Sequence, residues 1–338
     1  MSTAAVTPGP VGTPGPGTTA PSAASRRSDE RAAYERKVER LSALSEGGPY
    51  DAFEDVPWDQ PGFELDPTDP RLQLFAFDPL ARTPWYQQLD DVGKARVGLR
   101  RMGANLRVGW EFENFLQQGL LIRALRMRND DVAFRYSHHE IAEESHHSMM
   151  FHEFVRRYAP EVGGMPRPLK ALTTPAVQLS ARRFPALFFF LVLSGEVPID
   201  HVQRQVTRQE DVHPLVRRIM EIHVEEEARH VGFAQLELRR TVPRLSSARR
   251  QALARLVPET LAIATRLMLY PSPWQVRYDR VPVDELRAAL RHPETRQLLV
   301  DATARIRRLC HELDLMTPAG VAAWKRGGMW AEPTRTAA

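Results

Sequence analysis

From residue 84 onwards, apolar side chains recur every three or four positions, a spacing that aligns them along one face of an α-helix. This pattern predicts six long helices, at 86–128, 131–158, 177–209, 213–241, 246–270 and 283–313. The breaks between them coincide with clusters of proline, glycine, asparagine and aspartate. No run of alternating β-branched residues is long enough to predict a strand. The pattern therefore predicts an all-α protein built as a helical bundle.

The residues before position 86 differ in composition from the rest of the chain. Residues 1–28 are mostly Pro, Gly, Ala, Ser and Thr, which cannot form a packed core, so we expect a disordered N-terminal tail there. Residues 29–85 are predicted to form one charged helix, followed by an aromatic and proline-rich strap that lies over a larger body. The bundle domain is predicted at 86–318, and 319–338 are predicted to be a C-terminal tail.

The composition excludes several classes of protein. Cys310 is the only cysteine, so the chain has neither a disulfide framework nor a zinc site that needs several thiolates. The net charge is only +4 and the arginines are interleaved with acids, so we expect no nucleic-acid partner. The longest apolar run, 184–193, is too short to cross a bilayer, and the N-terminus lacks the pattern of a signal peptide. We therefore expect a cytoplasmic protein with no membrane partner.

Two Glu-x-x-His pairs are the main candidates for functional residues in the sequence. They are Glu144 with His147, and Glu227 with His230. Residues three apart on a helix are neighbours on its surface, so each pair presents a carboxylate and an imidazole in the same direction. Because the second pair has the same local form as the first, the pattern indicates an internal repeat.

Two more glutamates extend this repeat. Glu113 precedes Glu144 by the same number of positions by which Glu196 precedes Glu227. One glutamate from each of two helices, with Glu-x-x-His from each of two others, is the ligand set of a dinuclear iron or manganese site in a ferritin-like bundle. Hard carboxylate oxygens can bridge two cations and offset their charge, and imidazole suits iron. The fold predicted is therefore a ferritin-like or ribonucleotide-reductase-like bundle with extra helices.

A third histidine breaks the symmetry of the repeat. His223 lies four residues before Glu227 and seven before His230, so all three share one helix face, whereas the first repeat has Glu140 at that position. His223 is either a third nitrogen ligand or a polar partner of the ligands.

Several near matches compete with these assignments. Glu111 is the alternative to Glu113, which we favour because only Glu113 satisfies the spacing of both repeats. The pair Glu143 and His146 also reads Glu-x-x-His, but the equivalent of His146 in the second repeat is Arg229, so we do not assign it as a ligand pair. Asp200 is either an acceptor that orients a histidine or a solvated acid.

At these residues the chain resembles the AurF-like dinuclear-iron arylamine N-oxygenases. The segments that carry the resemblance are 143–147 (EESHH), Glu196 after its apolar run, and 223–230 (HVEEEARH), where the third histidine is the distinguishing feature. The resemblance implies two iron ions per chain, held by Glu113, Glu144, His147, Glu196, His223, Glu227 and His230, with Glu144 and Glu227 as candidate bridges. Catalysis would act through these metals.

The same resemblance implies a reaction. Family members use O2 and an external electron donor to oxidise a small aromatic amine to a nitroarene through hydroxylamine and nitroso stages. It suggests a place in antibiotic biosynthesis, with a chloramphenicol-type aminophenyl precursor as substrate. From the exposed bundle faces we also expect a homodimer.

Other functions of a dinuclear bundle remain open at this point. The main alternative is a diiron hydroxylase or desaturase that acts on C–H bonds. Iron storage is a non-enzymatic alternative. A ribonucleotide-reductase subunit would need a redox tyrosine near the metals, for which Tyr136 is the one nearby candidate. The residues themselves do not distinguish iron from manganese.

Overall fold

A computed structural model describes residues 23–331, and this part of the chain is α-helical with no β-strand. The α-helices are α1 (Ala23–Glu46), α2 (Pro84–Gln87), α3 (Asp91–Ala124), α4 (Val132–Tyr158), α5 (Arg167–Arg183), α6 (Pro185–Thr207), α7 (Pro214–Thr241), α8 (Ser247–Leu269), α9 (Pro273–Tyr278), α10 (Val283–Arg291), α11 (Pro293–Ala302), α12 (Ala304–Glu312) and α13 (Pro318–Gly327). Short 3₁₀ turns occur at Pro70–Leu72, Pro79–Arg82 and Val242–Arg244. The predicted all-α class is confirmed.

The long helices begin where local chemistry satisfies their first N–H groups. Asp90 caps α3 by accepting from the Gly93 N–H, and Asp131 caps α4 by accepting from the Ala133 N–H. The helices α6 and α7 begin with a proline, whose missing N–H is not needed in the first turn. Each of the four bundle helices therefore has a defined start, and this fixes the register of the side chains that point inward.

Two of the predicted long helices are wrong in their extent. The helix predicted at 177–209 is two helices that meet at Phe184, because the residue before Pro185 is pushed out of the α region and has φ −142° and ψ 66°. The helix predicted at 283–313 is three helices. His292, which precedes a proline, is extended there with φ −60° and ψ 142°, and a second break falls at Thr303.

Helices extend into both of the predicted tails. The predicted disordered segment 1–28 lies mostly outside the described residues, but α1 already begins at Ala23. The predicted C-terminal tail contains helix α13, which packs against α8 and buries Trp324 completely. An indole of that size contributes to the core, so α13 is part of the folded body.

The four central helices pair as two hairpins. Helix α3 packs along α4, and α6 packs along α7, while α4 contacts α7 and α3 contacts α6. The apolar start of α6 fills the centre, where Phe188, Phe189 and Phe190 are at most 1% exposed. Helix α6 is long and apolar enough to cross a membrane, but 67% of its most apolar window is buried inside the protein, as in the core helix of a folded bundle.

The strap between α1 and α2 lies directly on the bundle. Trp58 is buried and its Nε1 donates to the Ala52 carbonyl oxygen at 2.7 Å. Where the strap crosses α3, a Cβ added to Gly98 would lie 1.9 Å from the carbonyl oxygen of Leu72. A side chain at position 98 would push the strap away, so glycine is what allows this close approach.

Candidate metal centre

The seven candidate ligands come together in the middle of the bundle. Helix α3 contributes one of them, α4 two, α6 one and α7 three: Glu113, Glu144, His147, Glu196, His223, Glu227 and His230. Each is at most 2% exposed. Their donor atoms form three overlapping groups, and within each group all atoms lie within 4.8 Å of one another. The repeat recognised in the sequence is therefore a cluster in space.

Several carboxylate oxygens of this cluster have no hydrogen-bond partner among the described residues to offset their burial. In the described part of the chain, Glu113 Oε2, Glu196 Oε1 and Glu227 Oε2 are buried and accept no hydrogen bond. Burial and repulsion between neighbouring carboxylates raise the pKa of Glu113 and Glu196 well above the ordinary value. Cations placed among these oxygens would remove both penalties, so the residues fit a dinuclear metal group.

The histidines of the two Glu-x-x-His pairs are each held by a carboxylate from the opposite repeat. His147 Nε2 donates to Glu226 Oε2 at 2.9 Å, and His230 Nε2 donates to Glu143 Oε2 at 2.6 Å. Their Nδ1 atoms face the candidate ligands: that of His147 lies 3.0 Å from Glu144 Oε2. A carboxylate on the outer nitrogen fixes the ring and raises its basicity, as is usual for metal-bound histidine.

These carboxylates also set the protonation of the two rings when no metal is bound. Burial alone would lower the pKa of His147, but its hydrogen bonds to Glu144 and Glu226 raise it to about 9. The pKa of His230 is likewise raised despite burial, because Glu144 and Glu227 lie beside it. Without metal the two rings therefore carry protons, which a metal would displace.

His223 is held differently. Its Nδ1 donates to Gln203 Oε1 at 2.8 Å, so its Nε2 points inward, 3.4 Å from Glu113 Oε1. Burial, together with the neighbouring His147, lowers the pKa of His223 well below the ordinary value, so the ring is neutral. The third histidine has a neutral amide as its outer partner, which makes it a weaker nitrogen donor than the other two.

The position that corresponds to His223 in the first repeat holds a buried acid. Glu140 is 1% exposed and its Oε2 has no hydrogen-bond partner among the described residues. Burial raises the pKa of Glu140 well above its ordinary value, so this carboxyl is neutral. Tyr136 lies one turn earlier on α4, fully buried against the Phe233 ring at 4.6 Å. The centre therefore has an imidazole on one side and a neutral carboxyl on the other.

The near matches from the sequence lie elsewhere. Glu111 accepts from Lys170 Nζ at 2.6 Å and from the Met165 N–H at 2.7 Å, so it faces α5 and not the cluster. Asp200 is buried and pairs with Arg204 and Arg305, so both readings of it were wrong. His146 accepts from the Ala52 N–H of the strap at 3.2 Å.

Glu143, Glu226 and Gln203 were not predicted as outer partners of the histidines. A signal for the first two was present, because Glu143 and Glu226 directly precede Glu144 and Glu227 and so occupy equivalent positions of the repeat. The replacement of the histidine by Arg229 in the second copy argued against the pair. In the structure Arg229 donates to Glu143 at 2.8 Å, so the arginine supports the same arrangement. Nothing in the sequence pointed to Gln203.

An apolar cavity opens onto one side of the cluster. It encloses about 890 Å³, open solvent at its mouth included, and it is lined by the strap at 72–78 and by residues of α3, α4, α6, α7 and α8. Glu113, Glu196 and His223 form part of its wall. Gly195 lies in this wall too, where an added Cβ would be 1.9 Å from the Phe112 ring. A small molecule in the cavity would therefore lie beside three candidate ligands.

A helical bundle with four buried glutamates and three buried histidines, arranged as a repeated Glu and Glu-x-x-His, defines the class of ferritin-like proteins with a carboxylate-rich dinuclear site. Within this class the comparison with known families is specific. The family model described as P-aminobenzoate N-oxygenase AurF matches residues 31–314. The chain belongs to the AurF family, as its resemblance predicted.

Two mycobacterial proteins are similar along nearly the whole chain. Uncharacterized protein MT0908 of Mycobacterium tuberculosis (strain CDC 1551 / Oshkosh) is 37% identical over 303 residues, which is 88% of this chain and 89% of the relative. Uncharacterized protein Rv0885 of Mycobacterium tuberculosis (strain ATCC 25618 / H37Rv) is 36% identical over the same shares. Their names assign no activity. The family itself is one of diiron oxygenases, so the chain is an oxidoreductase of the monooxygenase type.

Proposed function

We propose that this protein is an O2-dependent arylamine N-oxygenase that converts an aryl amine to a nitroarene through hydroxylamine and nitroso stages. Two iron ions per chain would be held by the candidate ligands: Glu113, Glu144, His147, Glu196, His223, Glu227 and His230. The irons would supply the activation of O2, and an external donor would supply electrons.

The observation that carries this proposal is the contact between the cluster and the cavity. Glu113, Glu196 and His223 line the space in which a substrate would lie. An amine at that wall is next to the site where oxygen chemistry would occur, and positioning of this kind supplies much of the rate of an enzyme. His223, which would be the third nitrogen ligand, is one of the residues that line this space.

The remaining residues have positioning tasks. Glu226 and Glu143 hold the rings of His147 and His230 so that the inner nitrogen of each can bind a metal once its proton is displaced. Gln203 does the same for His223, with the opposite ring nitrogen turned inward. These three hydrogen bonds need no rearrangement when metal binds, so the chain supplies a preorganised site.

The apolar part of the cavity suits an aromatic ring. Side chains from five helices and the strap provide this surface, and they include Phe75, Phe77, Leu106, Phe112, Phe151 and Ile199. Such a wall excludes water and leaves the polar interactions of the substrate to a few groups. It supports an aryl substrate.

Several finer features stay predictions. Exposed apolar side chains on α5 and α8, such as Leu172 and Ile263, support a homodimer because large exposed apolar surfaces often mark interfaces. The cytoplasmic location, the electron donor and the place in antibiotic biosynthesis with a chloramphenicol-type precursor are predicted from the sequence alone.

The test is turnover by reconstituted protein. The full chain is loaded with Fe(II) without air, supplied with a chemical reductant and O2, and given a 4-substituted aniline, and products are analysed by mass spectrometry. We expect the hydroxylamine, nitroso and nitro compounds. Glu227→Gln should abolish them, whereas Glu221→Gln, which alters an exposed acid on the same helix, should not. Ring or side-chain hydroxylation without N-oxidation would contradict the proposal and support C–H chemistry.

A further inference from the structure

We propose that the cavity selects an aryl amine whose far end is neutral and carries a hydrogen-bond acceptor, and that it discriminates against an aryl amine that bears a carboxylate. This inference rests on the proposed function, since it names the substrate class of the same site. It differs from the substrate in the family's description, p-aminobenzoate, which is a carboxylate.

Few charged side chains face the cavity. Apart from the candidate metal ligands, the charged residues in its wall are Asp78 from the strap and Arg101 from α3. They form a buried ion pair in which Arg101 Nε donates to Asp78 Oδ2 at 2.8 Å. Arg101, the one arginine or lysine among the described residues of the wall, is therefore already neutralised by an anion in the same wall.

The other nitrogens of Arg101 are also engaged. Nη1 donates to Asn105 Oδ1 at 2.8 Å, and Nη2 donates to the Met268 carbonyl oxygen at 3.2 Å. These bonds hold the guanidinium in place against α3 and α8. A carboxylate entering the cavity would meet an arginine whose charge is already paired with Asp78. It would lose its hydration without finding a cation free to pair with it.

Neutral donors are available instead. The carbonyl oxygen of Asn105 accepts from Arg101, and that of Gln203 accepts from His223, so each amide turns its NH2 group elsewhere. Both side chains line the cavity. Gln203 is bonded to the candidate ligand His223, so Asn105, which is bonded to Arg101, is the amide placed to meet the far end of a substrate. A hydroxyl or carbonyl oxygen on the substrate would satisfy such a donor at no electrostatic cost.

The test compares two ligands of nearly the same shape, 4-aminobenzoate and 4-aminobenzamide. Binding to the full-length, Fe(II)-loaded protein is measured by calorimetry without O2, at pH 7, so that no turnover occurs. We expect the neutral amide to bind at least tenfold more tightly than the carboxylate. Equal affinity, tighter binding of the carboxylate, or no binding of either compound would overturn the inference.

One variant should remove the predicted preference. Asp78→Asn removes the anion that neutralises Arg101 but keeps the Oδ1 atom that accepts from the Leu80 N–H. We expect its affinity for 4-aminobenzoate to rise at least tenfold, with little change for the amide. Adding Arg101→Gln to this variant should abolish the gain. An unchanged affinity of Asp78→Asn for the carboxylate would contradict the role of the ion pair.

Controls separate folding and function from charge recognition. Asp284→Asn removes the same charge from a side chain that is 95% exposed and does not line the cavity, and it should leave both affinities unchanged. Melting temperatures of all variants identify any that fail to fold, and the wild-type comparison decides the question without them. If the neutral amine binds as expected but is never N-oxidised, the proposed function fails and the charge selectivity stands.

Discussion

Replacement of Glu143 by glutamine tests whether an acid outside the candidate ligand set controls metal binding. Glu143 is 2% exposed, accepts from His230 Nε2 at 2.6 Å and pairs with Arg229. Burial alone would raise its pKa, but His230 lowers it to about 2, so the group is an anion. Glutamine keeps the size and one acceptor oxygen and removes the charge, so Glu143→Gln isolates the electrostatic contribution.

The size of the effect follows from the role of outer carboxylates. An anion on the outer nitrogen makes the inner nitrogen of His230 a stronger donor, and loss of such a partner typically lowers metal affinity about 10- to 100-fold. This corresponds to about 1.4 to 2.7 kcal/mol of binding free energy. Glu226→Gln should give a loss of similar size, because Glu226 holds His147 in the same way at 2.9 Å.

The assay is competition for Fe(II) with a chelator of known affinity, with iron counted per chain and helix content followed by circular dichroism. Glu221→Gln on the same helix as Glu226 is the control, since Glu221 is exposed. We expect both buried variants to lose iron more readily than wild type and the control not to. Wild-type iron affinity in Glu143→Gln and Glu226→Gln would refute the positioning role derived from the hydrogen bonds.

Three further predictions concern the ligands, the protons and the packing. His223→Ala should lower iron retention while helix content stays near normal, and unchanged iron content and turnover would refute a ligand role. In the metal-free protein, the raised pKa of His147 adds to the free energy of unfolding; this contribution is complete below pH 6.5 and is lost as pH rises through about 9. We expect chemical denaturation to show a loss of about 3 kcal/mol from this group. The loss should be absent when metal is bound. A metal-free stability that stays level over this range would contradict it. Gly195→Ala should cost about 1–3 kcal/mol in the same assay, because its Cβ would meet the Phe112 ring; wild-type stability would mean that the ring moves freely.

The ligand cluster is the part that the sequence predicts best. The matched spacing of the two repeats assigns Glu113, Glu144, Glu196 and Glu227 to equivalent positions of two helix hairpins, and the structure brings them together. A repeat is informative because each copy constrains the other. The same spacing distinguishes Glu113 from Glu111, which the structure places against Lys170.

Features that depend on tertiary contacts were not predictable in this way. The acceptor for His223 is Gln203 on another helix, and no local pattern marks an amide for that role. The pairing of Glu143 with His230 crosses between the repeats, so a search within one Glu-x-x-His motif does not find it. The error at Phe184 had a different origin, since the steric effect of Pro185 on the preceding residue was visible but outweighed by the apolar pattern.

The most direct test for a dinuclear iron site is diffraction from crystals of the iron-loaded protein at the iron absorption edge. We expect two anomalous peaks per chain, both among the cluster of candidate ligands: Glu113, Glu144, His147, Glu196, His223, Glu227 and His230. His223 should lie within bonding distance of one of them through Nε2. A single peak, or peaks outside this cluster, would contradict the central claim that the chain is built around a dinuclear iron site.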